Sequence, residues 1–417
     1  MSYIEAKKKF AKIGIDTEKV IKDLSKIAIS LHCWQGDDVG GFESVGGASN
    51  GIQTTGNYPG KARTPEELMA DLDFALALIP GKHRVNLHAC YGVHKDKVVD
   101  RDKISVEQFK PWVAWAKKRG VGLDFNPTYF SHANMKDGLS LSSPDPKIRR
   151  FWIDHGVKCL EIADYFAKEL KTFSSINFWC PDGYKDEPSD RLGPRQRMAD
   201  SLDKIFAKAK YDKKRVIPCF ESKLFGIGVE SYTVNSHEMV MGYAQSRHAK
   251  TGLIALLDMG HFHLTENVAD KISAFLMYFG KVAFHISRPV RWDSDHVIRQ
   301  NDDLRAAAQE IVKMGPENFV IALDYFDASI NRVAAWVLGM RNMQKELLKA
   351  MLTPWKTLKG MQDAAEFTAQ LVLQEEYKNY PVSDVWDEFC KRNKVVAGEE
   401  WFKSVLKYEK DVLLKRV

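Results

Sequence analysis

Eight short apolar runs, separated by helical patterns, constrain this chain more than any other feature. They lie at 26–34 (KIAISLHCW), 83–90 (HRVNLHAC), 120–126 (GVGLDFN), 174–179 (SSINFW), 215–221 (RVIPCFE), 252–258 (GLIALLD), 281–287 (KVAFHIS) and 318–324 (NFVIALD). Near-continuous apolar strands of this length suit a parallel sheet covered on both faces. Their starts fall on average about 42 residues apart, room for the crossover that parallel neighbours require. The stretch 64–79 (TPEELMADLDFALALI) offers Thr64 as N-cap, Pro65 at the first helical position and Glu67 to complete a capping box. Residues 106–119, 145–170, 195–208 and 302–313 carry the same helical character. Strand alternating with helix eight times predicts an α/β protein with a (β/α)8 TIM barrel. A doubly wound sheet is the alternative, but no GxGxxG follows the first run, which disfavours its dinucleotide-binding form.

After residue 332 the strand pattern stops. Residues 334–352, 354–377, 382–391 and 399–415 read as helices. The expected division is a catalytic barrel over 1–332 and a helical extension over 333–417. Trp336, Trp355, Trp386 and Trp401 are expected to be exposed on that extension and to mark it as an oligomerisation surface.

Composition narrows the function classes. Of 417 residues, 45% are hydrophobic and 28% charged, which is globular. Lys and Arg number 61 against 55 Asp and Glu, a net +6 spread thinly. The longest basic clusters, 7–9 and 213–215, read as solvated faces, so no nucleic-acid partner is expected. No 18-residue apolar run exists, so no membrane span is expected. The segment MSYIEAKKKF lacks the apolar core of a secretory signal. Six cysteines without a CxxC pair fit free thiols in a reducing cytoplasm.

In a barrel, chemistry sits at the C-terminal ends of the strands. The first run ends at His32 and Trp34, the second with Asn86 and His88, the third Asp124-Phe125-Asn126, the fourth with Asn177 and Trp179. The last four bring Glu221 and Lys223, Asp258 and His261, His285 with Asp293 and Asp295, and Asp324 with Asp327 beyond it. Glu221 and Lys223 share a face if the chain is extended, as do Asp293 and Asp295. Singly, each has an ordinary reading: an Asp at a strand end caps helices, and a strand His is commonly a hydrogen-bonded core residue. Jointly, five carboxylates and two imidazoles at one rim form a ligand set for Mn²⁺, Mg²⁺ or Co²⁺. Without a cation they would repel strongly.

Longer blocks carry a family likeness. HCWQGDDVGGFE at 32–43, GIQTTGNYPGKAR at 51–63, GLDFNPTYFSH at 122–132, ESKLFGIGVESYT at 221–233, HISRPVRWDSDHV at 285–297 and LDYFDASINRVAAW at 323–336 resemble the L-rhamnose isomerase family. The likeness runs from about residue 10 onward. It implies a metal-dependent barrel interconverting an aldose and a ketose, usually as a homotetramer. It also implies a structural metal site at Glu221, Asp258, His285 and Asp324. A catalytic site at His261, Asp293 and Asp295 would share Asp258, giving two divalent ions, Mn²⁺ first with Co²⁺ or Mg²⁺ as alternatives. Met259 and Leu264 depart from the family pattern, as does a longer approach over 248–253. The reaction moves hydrogen between C1 and C2, as a hydride or through an enediol with Asp293 as base. Lys223 is a donor for O1, and His88 a ring-opening group supported by Asp327. Trp34, Phe125, Phe130 and Trp179 are expected as sugar-facing walls. The Gly- and Thr-rich stretch 46–61 is expected to be a long loop capping an active site, its own or a neighbour's. Other readings are an isomerase or epimerase of another aldose, a phosphodiester-cleaving barrel, for which the basic groove is thin, or a non-catalytic sugar binder.

Overall fold

The computed structural model describes residues 2–43, 52, 54–95 and 97–416. Ten strands follow in chain order: β1 (Ala28–His32), β2 (Lys82–His88), β3 (Gly122–Asn126), β4 (Ser174–Phe178), β5 (Gly183–Tyr184), β6 (Val216–Glu221), β7 (Tyr232–Thr233), β8 (Ile254–Asp258), β9 (Val282–Ile286) and β10 (Phe319–Leu323). Eight close into a parallel barrel in the order β1-β10-β9-β8-β6-β4-β3-β2. Each coincides with one of the eight apolar runs. The other two, β5 and β7, pair antiparallel as a small ribbon over the mouth-side loops. They are too short to leave a periodic signal.

Among the described residues, fourteen α-helices accompany them. The helices α1 (Tyr3–Ala11) and α2 (Thr17–Leu24) precede the barrel. One helix follows each barrel strand: α3 (Pro65–Ala77), α4 (Lys110–Arg119), α5 (Pro146–Leu170), α6 (Leu192–Lys208), α7 (His237–Thr251), α8 (Ala269–Phe279), α9 (Asp302–Lys313) and α10 (Arg332–Met351). The last four are α11 (Trp355–Asp363), α12 (Phe367–Tyr377), α13 (Val382–Arg392) and α14 (Trp401–Asp411). Packed against α9 and α3, α10 is the eighth outer helix, one helix beyond the division expected at residue 332. The stretch 354–377 is two helices, broken where Ala365 turns to φ 58°. At the start of α3, Thr64 Oγ1 accepts from Glu67 N at 3.2 Å. The Glu67 carboxylate goes to Arg63 instead (2.8 Å to its amide N), so only half of the expected capping box forms.

The tryptophans beyond residue 332 are not exposed as expected. Trp336 is fully buried, and its indole donates to His32 O at 2.9 Å. Trp386 is buried, while Trp355 and Trp401 are half-buried. Between Trp386 and Trp401 lies the buried guanidinium of Arg341, 5.5 and 5.6 Å from the two ring centroids. Aromatic faces attract a desolvated cation, so α10 is tied to α13 and α14 from within.

Alternation along the strands decides what enters the barrel. Asp124 points inward, and Arg84 grips it with two hydrogen bonds of 2.8 and 2.9 Å. Ser30 Oγ at 2.7 Å and Ser175 N and Oγ at 2.8 Å complete its shell. Burial would raise the Asp124 carboxyl, but Arg84 and these donors outweigh it and hold it below its usual value. This polar layer is a floor beneath the mouth.

Candidate metal and substrate site

Above that floor, a cavity of about 250 Å³ opens at the C-terminal ends of the strands. That is a little below the usual range for small-molecule sites, about 300–1,000 Å³. Its wall holds Glu221, Lys223, His261, His285, Asp293, Asp295 and Asp324 together with Trp34, His88, Trp179 and Phe326.

The local folding of each strand end explains the convergence. Asp258 and His285 are register partners on β8 and β9. Past Asp258 the chain makes one 3₁₀ turn, Met259–His261, capped by Asp258 Oδ1 accepting from Gly260 N at 2.6 Å. That turn swings His261 back over the cavity. A side chain at Gly260 would collide with Asp293, so glycine is needed for this close approach. Asp293 and Asp295 come from the β9–α9 connection, where Arg291 and Asp295 adopt φ 67° and 44°. Left-handed backbone at non-glycine residues is uncommon and clusters at functional sites.

Among the described residues, two groups have donor atoms all within 4.8 Å of one another: Glu221, Asp258, His285 and Asp324, and Asp258, His261 and Asp293. Asp258 belongs to both. Asp295 stands in the same wall but outside both groups. Glu221 also faces both imidazoles, with Oε1 2.9 Å from His261 Nδ1 and Oε2 3.3 Å from His285 Nδ1. His285 Nδ1 lies 3.0 Å from Asp324 Oδ2. Asn177 donates to Glu221, and Trp34 Nε1 donates to Asp324 Oδ1 at 3.0 Å.

Electrostatics make the cluster uneasy as protein alone. Burial, with Glu221 and Asp324 nearby, pushes the Asp258 carboxyl up to about 8. Burial beside Asp293 raises Asp295 well above the usual carboxylate range. Burial favours neutral imidazoles, but Asp258 at His261 and Glu221 at His285 outweigh it and raise both well above their usual value. Asp258 Oδ2, His261 Nδ1, His285 Nδ1 and Asp293 Oδ1 are buried without a hydrogen-bond partner. Such orphaned atoms are rare in folded proteins. Four of them inside an oxygen-and-imidazole cluster fit divalent metal.

Lys223 Nζ reaches His261 Nε2 at 2.9 Å and pairs with Asp293. Burial would lower its pKa, but Asp293 and Asp295 hold the ammonium above its usual value. Its partner wall is aromatic: Lys223 lies 5.3 Å from the Trp179 centroid. Trp34 stacks on His88 at 4.3 Å and on His32 at 4.1 Å. His88 is kept neutral by burial, and its Nε2 has no hydrogen-bond partner.

Two expected site residues lie elsewhere. Phe125 is fully buried outside the barrel, edge-on to Phe109 and Phe166 at 5.0 and 5.5 Å. Its neighbours Asp124 and Asn126 take the inward positions of β3. Asp327 does not line the cavity, and its carboxylate accepts from Ser329 N at 2.8 Å. Phe130 stands behind the wall, 5.6 Å from Trp179 and 6.0 Å from His88. Sequence reasoning passed over Phe326, Trp292, His296, Asn126 and Asn177 as site residues, all of which line the cavity. Parity along β3 and β4 could have found the two asparagines. Of the expected loop over 46–61, residues 46–51 and 53 lie outside the described residues, while Ile52 and Thr55 line the cavity.

The fold and the cluster define a class: a (β/α)8 barrel whose mouth can hold a metal ion. The family model for L-rhamnose isomerase (RhaA) matches residues 1–416. An L-rhamnose isomerase of Mannheimia succiniciproducens is 53% identical over 418 residues, covering 100% of this chain and 99% of the relative. One of Listeria innocua is 51% identical, covering 99% and 98%, and one of Salmonella typhimurium 52%, covering 99% and 97%. Among solved structures, an L-ribulose 3-epimerase aligns with TM-score 0.49 at 13% identity, covering 77% of this chain and 95% of that one. The chain belongs to the L-rhamnose isomerase family.

Proposed function

We propose that this chain is a metal-dependent aldose–ketose isomerase that interconverts L-rhamnose and L-rhamnulose. The observation that carries the reading is the pair of buried ligand groups sharing Asp258 inside a sugar-sized cavity. Glu221, Asp258, His285 and Asp324 would hold one cation, and Asp258, His261 and Asp293, with Asp295 beside them, a second. Mn²⁺ is the preferred ion, with Co²⁺ or Mg²⁺ as alternatives. Bound there, divalent cations supply Lewis-acid polarisation of substrate oxygens.

The chain's own residues supply the rest. Trp34, Trp179 and Phe326 exclude water and offer flat apolar faces to the C–H faces and methyl group of a deoxy sugar. Phe130 backs that wall. Lys223 is the donor for O1 as charge develops there. Asp293 carries the proton between C1 and C2 if the route is an enediol. His88, neutral and with a free Nε2, takes the proton of the anomeric hydroxyl and returns it to the ring oxygen as the bond from C1 to that oxygen breaks. The same reading makes the protein a cytoplasmic homotetramer. Exposed Phe367, Leu371 and Val372 on α12 support subunit contact, and a sedimentation mass of four chains is expected. Among the described residues no helix is long and apolar enough to cross a membrane.

The test is ketose formation from L-rhamnose by EDTA-stripped protein, with and without Mn²⁺. Activity should return only with metal, and Asp293→Asn should lower kcat by about 10²–10⁴. Retention of a C2 deuterium would favour the hydride route, and its loss to solvent the enediol. No ketose in either condition rejects L-rhamnose and calls for a panel of other aldoses.

A further inference from the structure

The limb that leads away from the cavity wall, residues 54–62, is held by side chains from the far end of the chain. Tyr58 OH donates to Glu409 Oε2 at 2.7 Å. The same oxygen accepts from Asn331 Nδ2 at 2.5 Å, and Asn331 lies in the loop that also carries Asp324 and Phe326. Arg416 Nη1 donates to Gly60 O at 3.0 Å while its fork grips Asp71 at 2.6 and 2.7 Å. Tyr408 adds a 2.7 Å hydrogen bond to Asp71 and stacks on Phe74 at 4.1 Å. Gly60 is pressed so closely that a Cβ there would lie 2.6 Å from that of Leu413. From the barrel side, Arg332 Nη1 donates to Tyr58 O at 2.9 Å, and Tyr58 N to Ala328 O at 2.8 Å.

We propose that α14 and the residues after it are a positioning element for the active site. Glu409 and Arg416 hold residues 54–62, and through them set Thr55 in the cavity wall. A helix that served only to cover the barrel needs apolar contacts with the outer ring. Besides stacking Tyr408 on Phe74 of that ring, this segment sends polar side chains past it: Glu409 joins two mouth loops, and Arg416 ties the limb to Asp71 of α3. A bridging carboxylate makes charge-assisted hydrogen bonds, the stronger kind. Glu409 and Arg416 touch neither substrate nor candidate metal ligands, so their effect belongs in substrate binding rather than in the chemical step.

The kinetic readout rests on the isomerase reading, so a second readout free of substrate accompanies it. In the full chain, Tyr58→Phe and Glu409→Gln should each raise KM for L-rhamnose about fivefold, the worth of one hydrogen bond. The double variant should be no worse than Glu409→Gln alone, because Tyr58→Phe removes one of the two hydrogen bonds that this carboxylate accepts. Expected values of kcat and Mn²⁺ affinity stay within about twofold of the parent. Hydrogen exchange of the Tyr58 and Ala62 amides should quicken in Glu409→Gln, with that of Gly260 unchanged. A lowered Tm with KM and exchange over 54–62 unaltered would overturn the proposal and leave a purely structural clamp. If the parent chain makes no ketose, the isomerase reading fails, and the exchange of 54–62 alone decides the positioning role.

Discussion

Phe125 and Asn126 are neighbours in sequence and sit on opposite sides of one strand. The period-two alternation of β3 sends Asn126 into the cavity and Phe125 into the layer between barrel and helices. An aromatic at a strand end is legible as apolar, but its side of the sheet is set by register, which one residue of slip reverses. Phe125→Ala should therefore destabilise the protein by about 3–5 kcal/mol while leaving KM of the folded enzyme unchanged, as thermal melts and kinetics on the same preparation would show. A raised KM with normal stability would return Phe125 to the substrate wall. The ligand cluster was legible for the opposite reason. Glu221, Asp258, His285 and Asp324 fall within one residue of the ends of their strands, where the barrel fixes direction. The double facing of Glu221 was not legible, because it depends on how His261 turns back after β8.

At the scale of elements, the eight strands could be read because each is a buried apolar run between turn signals. What escaped were features made by tertiary contact: the two-residue ribbon of β5 and β7, the break at Ala365, and tryptophans that pack around Arg341 and His32. The inward polar layer of β1 to β4 also needed the closed barrel to be seen, since Arg84 and Asp124 lie 40 residues apart in sequence. Removing one partner of a buried ion pair strands the other charge. Asp124→Asn should cost about 3–5 kcal/mol in urea unfolding and leave the affinity for Mn²⁺ unaltered, because this floor lies beneath the ligand cluster rather than in it. A loss of metal binding in a still-folded variant would show the two layers to be coupled.

For the whole molecule, the balance of charge at the mouth makes stability depend on pH and on metal together. Folding raises the Asp258 carboxyl from 3.8 to about 8, so the ionised form is penalised and the penalty grows as pH climbs through that window. His261 and His285 are raised above 6.5. The stability they bring is full below that value and is lost as pH rises through their folded values. Asp293 and Glu221 are lowered, Lys223 with His261 outweighing burial at the first and His285 with His261 at the second. Their contribution is constant above the ordinary carboxylate range. The terms of this cluster that vary between pH 6 and pH 8 thus act in one direction, while His83, His88 and His155, whose folded values burial holds below 6.5, act in the other and are not among the ligand groups, so the cluster is read from the difference between metal-free and Mn²⁺-loaded protein. A cation that replaces the protons removes the penalty, and binding at a hundred times its dissociation constant adds about 2.7 kcal/mol. The rise in Tm on adding Mn²⁺ to EDTA-stripped protein should therefore be larger at pH 8 than at pH 6, with protons released on binding. Equal rises at both pH values, with no proton release in calorimetry, would mean that the ion binds away from this cluster.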